Sequence, residues 1–280
     1  MIKKLLIAAV TLTAFSSYSF DLNDVEKFRS GNSCYQCDLR YERSPNKQAP
    51  GGDFRGAYMF NVNFSNSNFV ESDFQSANLI QADLNFVDFS RANLNKVSLQ
   101  SSDLTGATMR RTKLNQANLS KSILDYASLS RAELKASDLE KVTFEKGFAT
   151  AASFSGSNMS HGSFRETIFN KARFISANLS HSDFYGADLS SANLTKASIV
   201  SSDLSNTNLS FANLTGANLK GSKLVNANLS GANLSNTDLT DADLTGAEYS
   251  TALFNSVRVC RTKLPKPIKN TLDCDSNRSY

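Results

Sequence analysis

The sequence predicts an all-β chain wound as a β-solenoid, and three observations carry that expectation. From Phe54 to Leu264 a large apolar residue recurs at every fifth position, 43 times without a slip, with Ala149 as the one small exception. Two positions before each of these centres the residue is always Ala, Ser, Thr, Gly or Val. The remaining positions are rich in Asn, Asp, Ser, Thr, Lys and Arg. A helix turns about 100° per residue, so successive centres would sit roughly 140° apart and make no buried stripe. A straight strand alternates faces, so an odd period would point successive centres to opposite sides. A short extended run followed by a bend, repeated, sends every centre to one axis. A repeat of this length outranks local secondary-structure signals.

Units such as Ala212-Asn213-Leu214-Thr215-Gly216 and Ala232-Asn233-Leu234-Ser235-Asn236 resemble the pentapeptide-repeat family, whose motif is A(D/N)LXX. The resemblance covers about three quarters of the chain. It implies a right-handed quadrilateral β-helix with four units per coil. At the ~4.8 Å spacing of neighbouring strands, nearly eleven coils make a rod roughly 50 Å long.

The N-terminus precedes this rod. Residues 1–19 read as a secretory signal peptide: Lys3 and Lys4 lead an apolar run from Leu5 to Phe15, and Ser17 and Ser19 occupy the small positions of a cleavage site. The run is too short to span a bilayer. Its removal takes the formal net charge of the 280-residue chain from +4 to +2. Asn23–Arg29 reads as a short helix, with Asn23 as its cap, Glu26 as the capping-box partner and Gly31 as the stop. Val25 and Phe28 are spaced to face the rod end, which needs a cover for its core and its unpaired backbone groups.

Residues 20–39 thus form a capping segment, and Cys34, Cys37 and Leu39 already fall in phase with the repeat. Cys34-Tyr35-Gln36-Cys37 has no thioredoxin-like surroundings and no His after it, so a structural disulfide is the expected role. Some family members open with a similar helix, CxxC and Asp-Leu, which makes this stretch resemble a first coil. Residues 40–53, with Pro45, Pro50, Gly51 and Gly52, read as a mildly basic loop excursion.

If residues twenty apart stack, two basic columns emerge along the rod of 54–264. One holds Arg91, Arg111, Arg131 and, after Ala151, Lys171. The other holds Lys121, Lys141, His161 and His181. Such columns suit an anionic partner through salt-sensitive attraction. Asn and Asp residues preceding the centres read as rod-building, stacking in columns such as Asn78, Asn118, Asn158 and Asn178. Ala149 underfills its centre, so a kink is expected there, with Phe148 turning inward. Phe60, Phe86, Tyr126, Tyr185 and Phe211 fall at outward positions.

After Leu264, the tail of 265–280 opens with Pro265 and Pro267, which stop further pairing. Cys260 and Cys274 flank it, and the two ends of a rod are far apart. Pairing Cys34 with Cys37 and Cys260 with Cys274 is therefore expected.

These features point to an exported chain, periplasmic or secreted, acting as a non-catalytic structural or protein-interaction rod. The expected partner is a protein or an anionic envelope polymer, with no nucleic acid, no cofactor and no metal site. Two alternatives stand beside it. The family includes DNA-mimicking topoisomerase binders, but such mimics present acidic surfaces inside the cell. A carbohydrate-active β-helix would need clustered carboxylates, Arg or His breaking the repeat.

Overall fold

The computed structural model describes residues 21–265 and 271–272. The signal peptide expected at 1–19 and Cys274 lie outside the described residues. Single-residue parallel bridges join positions twenty apart, from Asp38 with Tyr58 to Asp243 with Lys263. Four five-residue units therefore make one coil.

The unit centred on Leu84 shows the wiring. The Leu84 N–H donates to Asp103 O of the next coil at 2.7 Å, and the Phe86 N–H to Thr105 O at 2.9 Å. The Asp88 N–H donates to Ser67 O of the preceding coil at 2.9 Å. The Val87 N–H returns to Leu84 O at 3.2 Å, closing a β-turn at the corner. Of the two central turn residues, the second, Phe86, has φ +56°, the left-handed value that a type II turn requires.

One amide per unit is left over, that of the first turn residue. The preceding Asn or Asp accepts from it: Asn63 from Ser65 at 3.0 Å, Asn68 from Val70 at 3.1 Å, Asn213 from Thr215 at 3.0 Å. This local bond explains the Asn/Asp of the motif. The expected stacking along a column is also present, as between Asn178 and Asn158 at 3.2 Å, but it is the secondary role.

The centres fill the axis. Twelve phenylalanines are wholly buried, in one group around Phe54, Phe64, Phe69, Phe74 and Phe89 and another from Phe144 to Phe184. Buried hydroxyls at the small position bond centre carbonyls, as Ser102 Oγ does to Leu79 O at 2.6 Å.

Residues 40–53 are not an excursion; they complete the first coil. Arg43 bridges Asn63 and Gln48 bridges Asn68 in the same register as the rest. Pro45 and Pro50 stand at the first turn position, whose amide has no backbone acceptor in the repeat, so proline forfeits nothing there. Gly51 stands at the left-handed corner with φ +67°. Residues that resemble loop punctuation are thus in-phase turn residues.

This first coil is thin inside because a helix occupies its space. Helix α1 (Leu22–Ser30) lays Phe28 against Phe54 and Phe64, with ring centroids 6.0 and 5.1 Å apart. Ser44 and Ala49, at centre positions, leave room for it. Val25 and Phe28 are buried as expected, but the cap is Asp21, not Asn23: its carboxylate accepts from the Asn23 N–H at 2.9 Å. Gly31 ends the helix without a left-handed φ, its N–H bonding Lys27 O.

The expected kink at Ala149 is absent. Phe148 bridges both Ser128 and Ile168, points outward and is 47% exposed, while Ala149 is buried. The missing volume is supplied by neighbours: the Phe169 ring lies 5.9 Å from Phe144 and 5.7 Å from Phe154. Gly147 permits this, since a Cβ there would stand 2.0 Å from the Phe144 ring. At the far end, strand β1 (Val257–Arg258) pairs in parallel with strand β2 (Thr271–Leu272), covering part of the last coil.

Candidate interaction surfaces

The cap holds three charged contacts that sequence reasoning missed. Glu42 occupies a small, inward position and is 5% exposed; Arg29 of α1 grips both its oxygens at 2.9 and 3.0 Å. Lys47, also at an inward position, donates to Phe28 O at 2.6 Å and Gly31 O at 2.8 Å, and its ammonium lies 4.8 Å from the Phe28 ring centre. Asp24 accepts from the Asp38 N–H at 2.9 Å. That amide faces out of the rod end, so the helix supplies the partner that a preceding coil would have given. The signal was visible: two charges stand where the repeat demands small residues.

Cys34 and Cys37 are disulfide-bonded, S–S 2.01 Å, and both are buried. With Asp24 they form the one grouping of potential metal ligands among the described residues. The two sulfurs are tied to each other in the disulfide, and one oxygen of the carboxylate accepts from the Asp38 N–H. Cys260 is also in a disulfide, with a partner outside the described residues.

The predicted basic residues all stand at second turn positions, with φ between +58° and +62° and exposed side chains. The coil places Arg91, Arg111, Arg131 and Lys171 along one corner, and Lys121, Lys141, His161 and His181 along the diagonally opposite one. The two columns therefore do not converge on one face. Arg91 pairs with Glu71 at 2.9 Å, and Lys141 with Glu140 at 2.8 Å. Arg111, Arg131 and Lys171 form no ion pair among the described residues. The hydrogen bond from Lys141, with the nearby charges of His161 and Lys121, holds the Glu140 carboxyl below its ordinary range.

His161 and His181 stack nearly parallel, centroids 5.0 Å apart and planes 9° apart. They are the chain's only histidines, and their rings face each other along the column. Asp183 is bonded by Arg165 at 2.6 Å and accepts from the Tyr185 N–H, so it is committed to the scaffold. Phe86, Tyr126 and Phe211 are exposed as expected; Phe60 is half-buried against Tyr41. Among the described residues, no helix is long and apolar enough to cross a membrane.

The family model "Pentapeptide repeats" matches residues 49–75, 72–111, 112–146, 150–184, 172–210 and 212–248. The chain belongs to the pentapeptide-repeat family. Solved pentapeptide-repeat structures resemble it. HetL of the cyanobacterium Nostoc sp. strain PCC 7120, a protein involved in regulating heterocyst differentiation, is 26% identical; the match covers 83% of this chain and 94% of HetL, TM-score 0.36. Rfr23 of the cyanobacterium Cyanothece 51142 is 42% identical over 36% of this chain and 63% of its own, TM-score 0.31. QnrB1, a plasmid-mediated fluoroquinolone resistance protein, is 16% identical over 76% of this chain and 89% of its own, TM-score 0.27. With TM-scores this low, the assignment to the pentapeptide-repeat family rests on the repeats. No curated protein matches the chain.

Proposed function

We propose that this pentapeptide-repeat protein is an exported, non-catalytic interaction rod, wound as a right-handed quadrilateral β-helix, which binds a protein or an anionic envelope polymer through its basic corner columns. One observation carries the reading. Beyond the cap the core is closed and apolar, so the charged groups of the rod stand in outward columns, and the longest runs of like charge among these are basic. Stacked guanidinium groups repel one another at coil spacing, and an anionic partner would relieve that repulsion. The basic columns and the net positive charge, +2 once residues 1–19 are removed, oppose a DNA-mimicking role.

Two experiments test this. Cell fractionation with N-terminal sequencing of the mature chain should yield a periplasmic or secreted product starting near Phe20; a cytoplasmic product retaining Met1 would refute export. Replacing Arg91, Arg111 and Arg131 with Ser should weaken capture of envelope components at low salt. Unchanged capture would dismiss that column as a binding surface.

A further inference from the structure

The residue preceding each centre points outward, and along the rod it is polar almost throughout. Apart from Tyr58 and Leu253 towards the two ends, it turns apolar at Ile123, Phe148 and Ile168, within three consecutive coils, with Ile123 on the neighbouring face. Phe148 and Ile168 are bridged neighbours on one face, continued backward by Thr108 and Ser128. The face therefore carries no charge at this position from Thr108 to Ile168, between Asp88 and Asp188. Exposed Phe86 and Tyr126 stand on its leading corner, and Phe86 lies flat over Gly106, where a Cβ would be 2.5 Å from the ring. Exposed apolar surface gathered in this way marks an interaction site.

The two corners flanking this face differ in charge. The leading corner carries Asp125, Glu145 and Glu166; Arg165 is tied to Asp183, which leaves Lys146 as its other cation. The trailing corner carries Arg91, Arg110, Arg111, Arg131 and Lys171, with Glu71 at its start. We propose that this face pairs with the same face of a second copy of the chain, the two rods parallel and in register about a twofold axis running along them.

Charge complementarity selects that arrangement. A twofold along the rods sets the leading corner of one copy against the trailing corner of the other. Asp125 then meets the second copy's Arg131, Glu166 meets its Lys171, and the Phe86 ring meets its Arg91 at matching heights. A twofold across the rods sets each corner against itself and brings the arginine columns together, which is repulsive. A stable interface needs about 800 Å² per partner, and a narrow flat face supplies it only when the rods lie along their length. The Lys121, Lys141, His161 and His181 column stays outside the seam, whereas the Arg91, Arg111, Arg131 and Lys171 column is open to an anionic partner only in the monomer, so dimerisation and binding at that column compete.

The test uses the full chain. Sedimentation velocity should show reversible dimerisation at micromolar concentration. Phe148→Asn with Ile168→Asn should weaken it at least tenfold without lowering Tm, because Asn is an ordinary occupant of that position, as at Asn158 and Asn178. Arg131→Glu should weaken the dimer, and adding Asp125→Arg should restore it. In the parallel pairing every residue of this column faces its own copy, so Thr108→Cys and Ser128→Cys should each form a disulfide-linked dimer. A chain that stays monomeric at hundreds of micromolar would overturn the proposal. So would an undiminished dimer in the Asn double variant, or crosslinking through only one of the two cysteines. The Asn double variant leaves both basic columns intact, so loss of the dimer is separable from loss of envelope binding.

Discussion

Replacing Lys47 with Met tests whether one side chain fastens the helix to the rod. The substitution keeps an apolar stem and removes the ammonium. Phe28 O and Gly31 O, at 2.6 and 2.8 Å, lose their donor, and Arg29 O loses a longer contact at 3.3 Å. A cation at a partly buried helix C-terminus contributes up to about 2 kcal/mol. The contact with the Phe28 ring adds about 0.5–1 kcal/mol. Water that reaches the freed carbonyls offsets part of the loss, leaving about 2 kcal/mol, a roughly 30-fold rise in the open population of the cap. Hydrogen exchange reads this directly: protection of the Val25 and Gly31 amides, both bonded within α1, should fall by that factor. Protection at Leu124 and Leu129 should not change, because stability in a solenoid is coupled mainly between neighbours. The buried Cys34–Cys37 disulfide should become reducible faster by a similar factor, since a thiol reaches it through the open cap. Unchanged protection in α1, or an equal loss along the whole rod, would refute the reasoning.

Three further outcomes are expected. Arg29→Ala leaves the buried Glu42 carboxylate without its cation and should cost the cap about 2 kcal/mol, whereas Arg29→Ala combined with Glu42→Ala should cost less than Arg29→Ala alone, as measured by hydrogen exchange in α1. Ala149→Leu should destabilise the middle coils by about 1–3 kcal/mol in chemical denaturation, because the Phe169 ring already fills that volume; a stabilised variant would mean a true void. Thr245 and Lys263 hold the Asp243 carboxyl down to about 2, so its stabilisation is complete above the ordinary carboxylate range and is lost as pH falls from about 4 towards 2. Asp243→Asn should flatten that loss of protection in the last coil and leave the first coil unaffected.

The period of the centres was legible because each leucine or phenylalanine repeats one local decision, and register errors would accumulate visibly over so many units. The Asn or Asp before the centre was legible as rod-building. Its bond to the amide two residues on was not, since it depends on knowing which amide the turn leaves unpaired. Pro45, Pro50 and Gly51 mislead because they also mark ordinary loops; only the coil's hydrogen bonds show that the two proline positions ask nothing of the missing N–H, while the Gly51 N–H bonds Val70 O like any corner amide. Glu42 and Lys47 carried a readable anomaly, charge at a small position, but its meaning lies in α1 folding over the rod end. Ala149 looks underfilled when its unit is taken alone, whereas its cavity is filled by Phe169 from the next coil. The stacked columns were legible once twenty residues made a turn. That the two basic columns occupy diagonal corners follows from the same count, and it limits what either can grip.

The left-handed backbone at every corner has a wider consequence. Among its occupants in the described coils, only Thr251 is branched at Cβ, while Gln, Arg, Lys, His, Glu, Phe, Ser, Asn and Gly all appear. The conformation filters shape near the backbone and is indifferent to what lies further out. The corners thus form an addressable grid, four lines of sites at a fixed pitch, whose lettering can be changed without consulting the core. Mutation can redraw the molecule's outer pattern of charge and rings one site at a time, and each new pattern is presented on the same ruler.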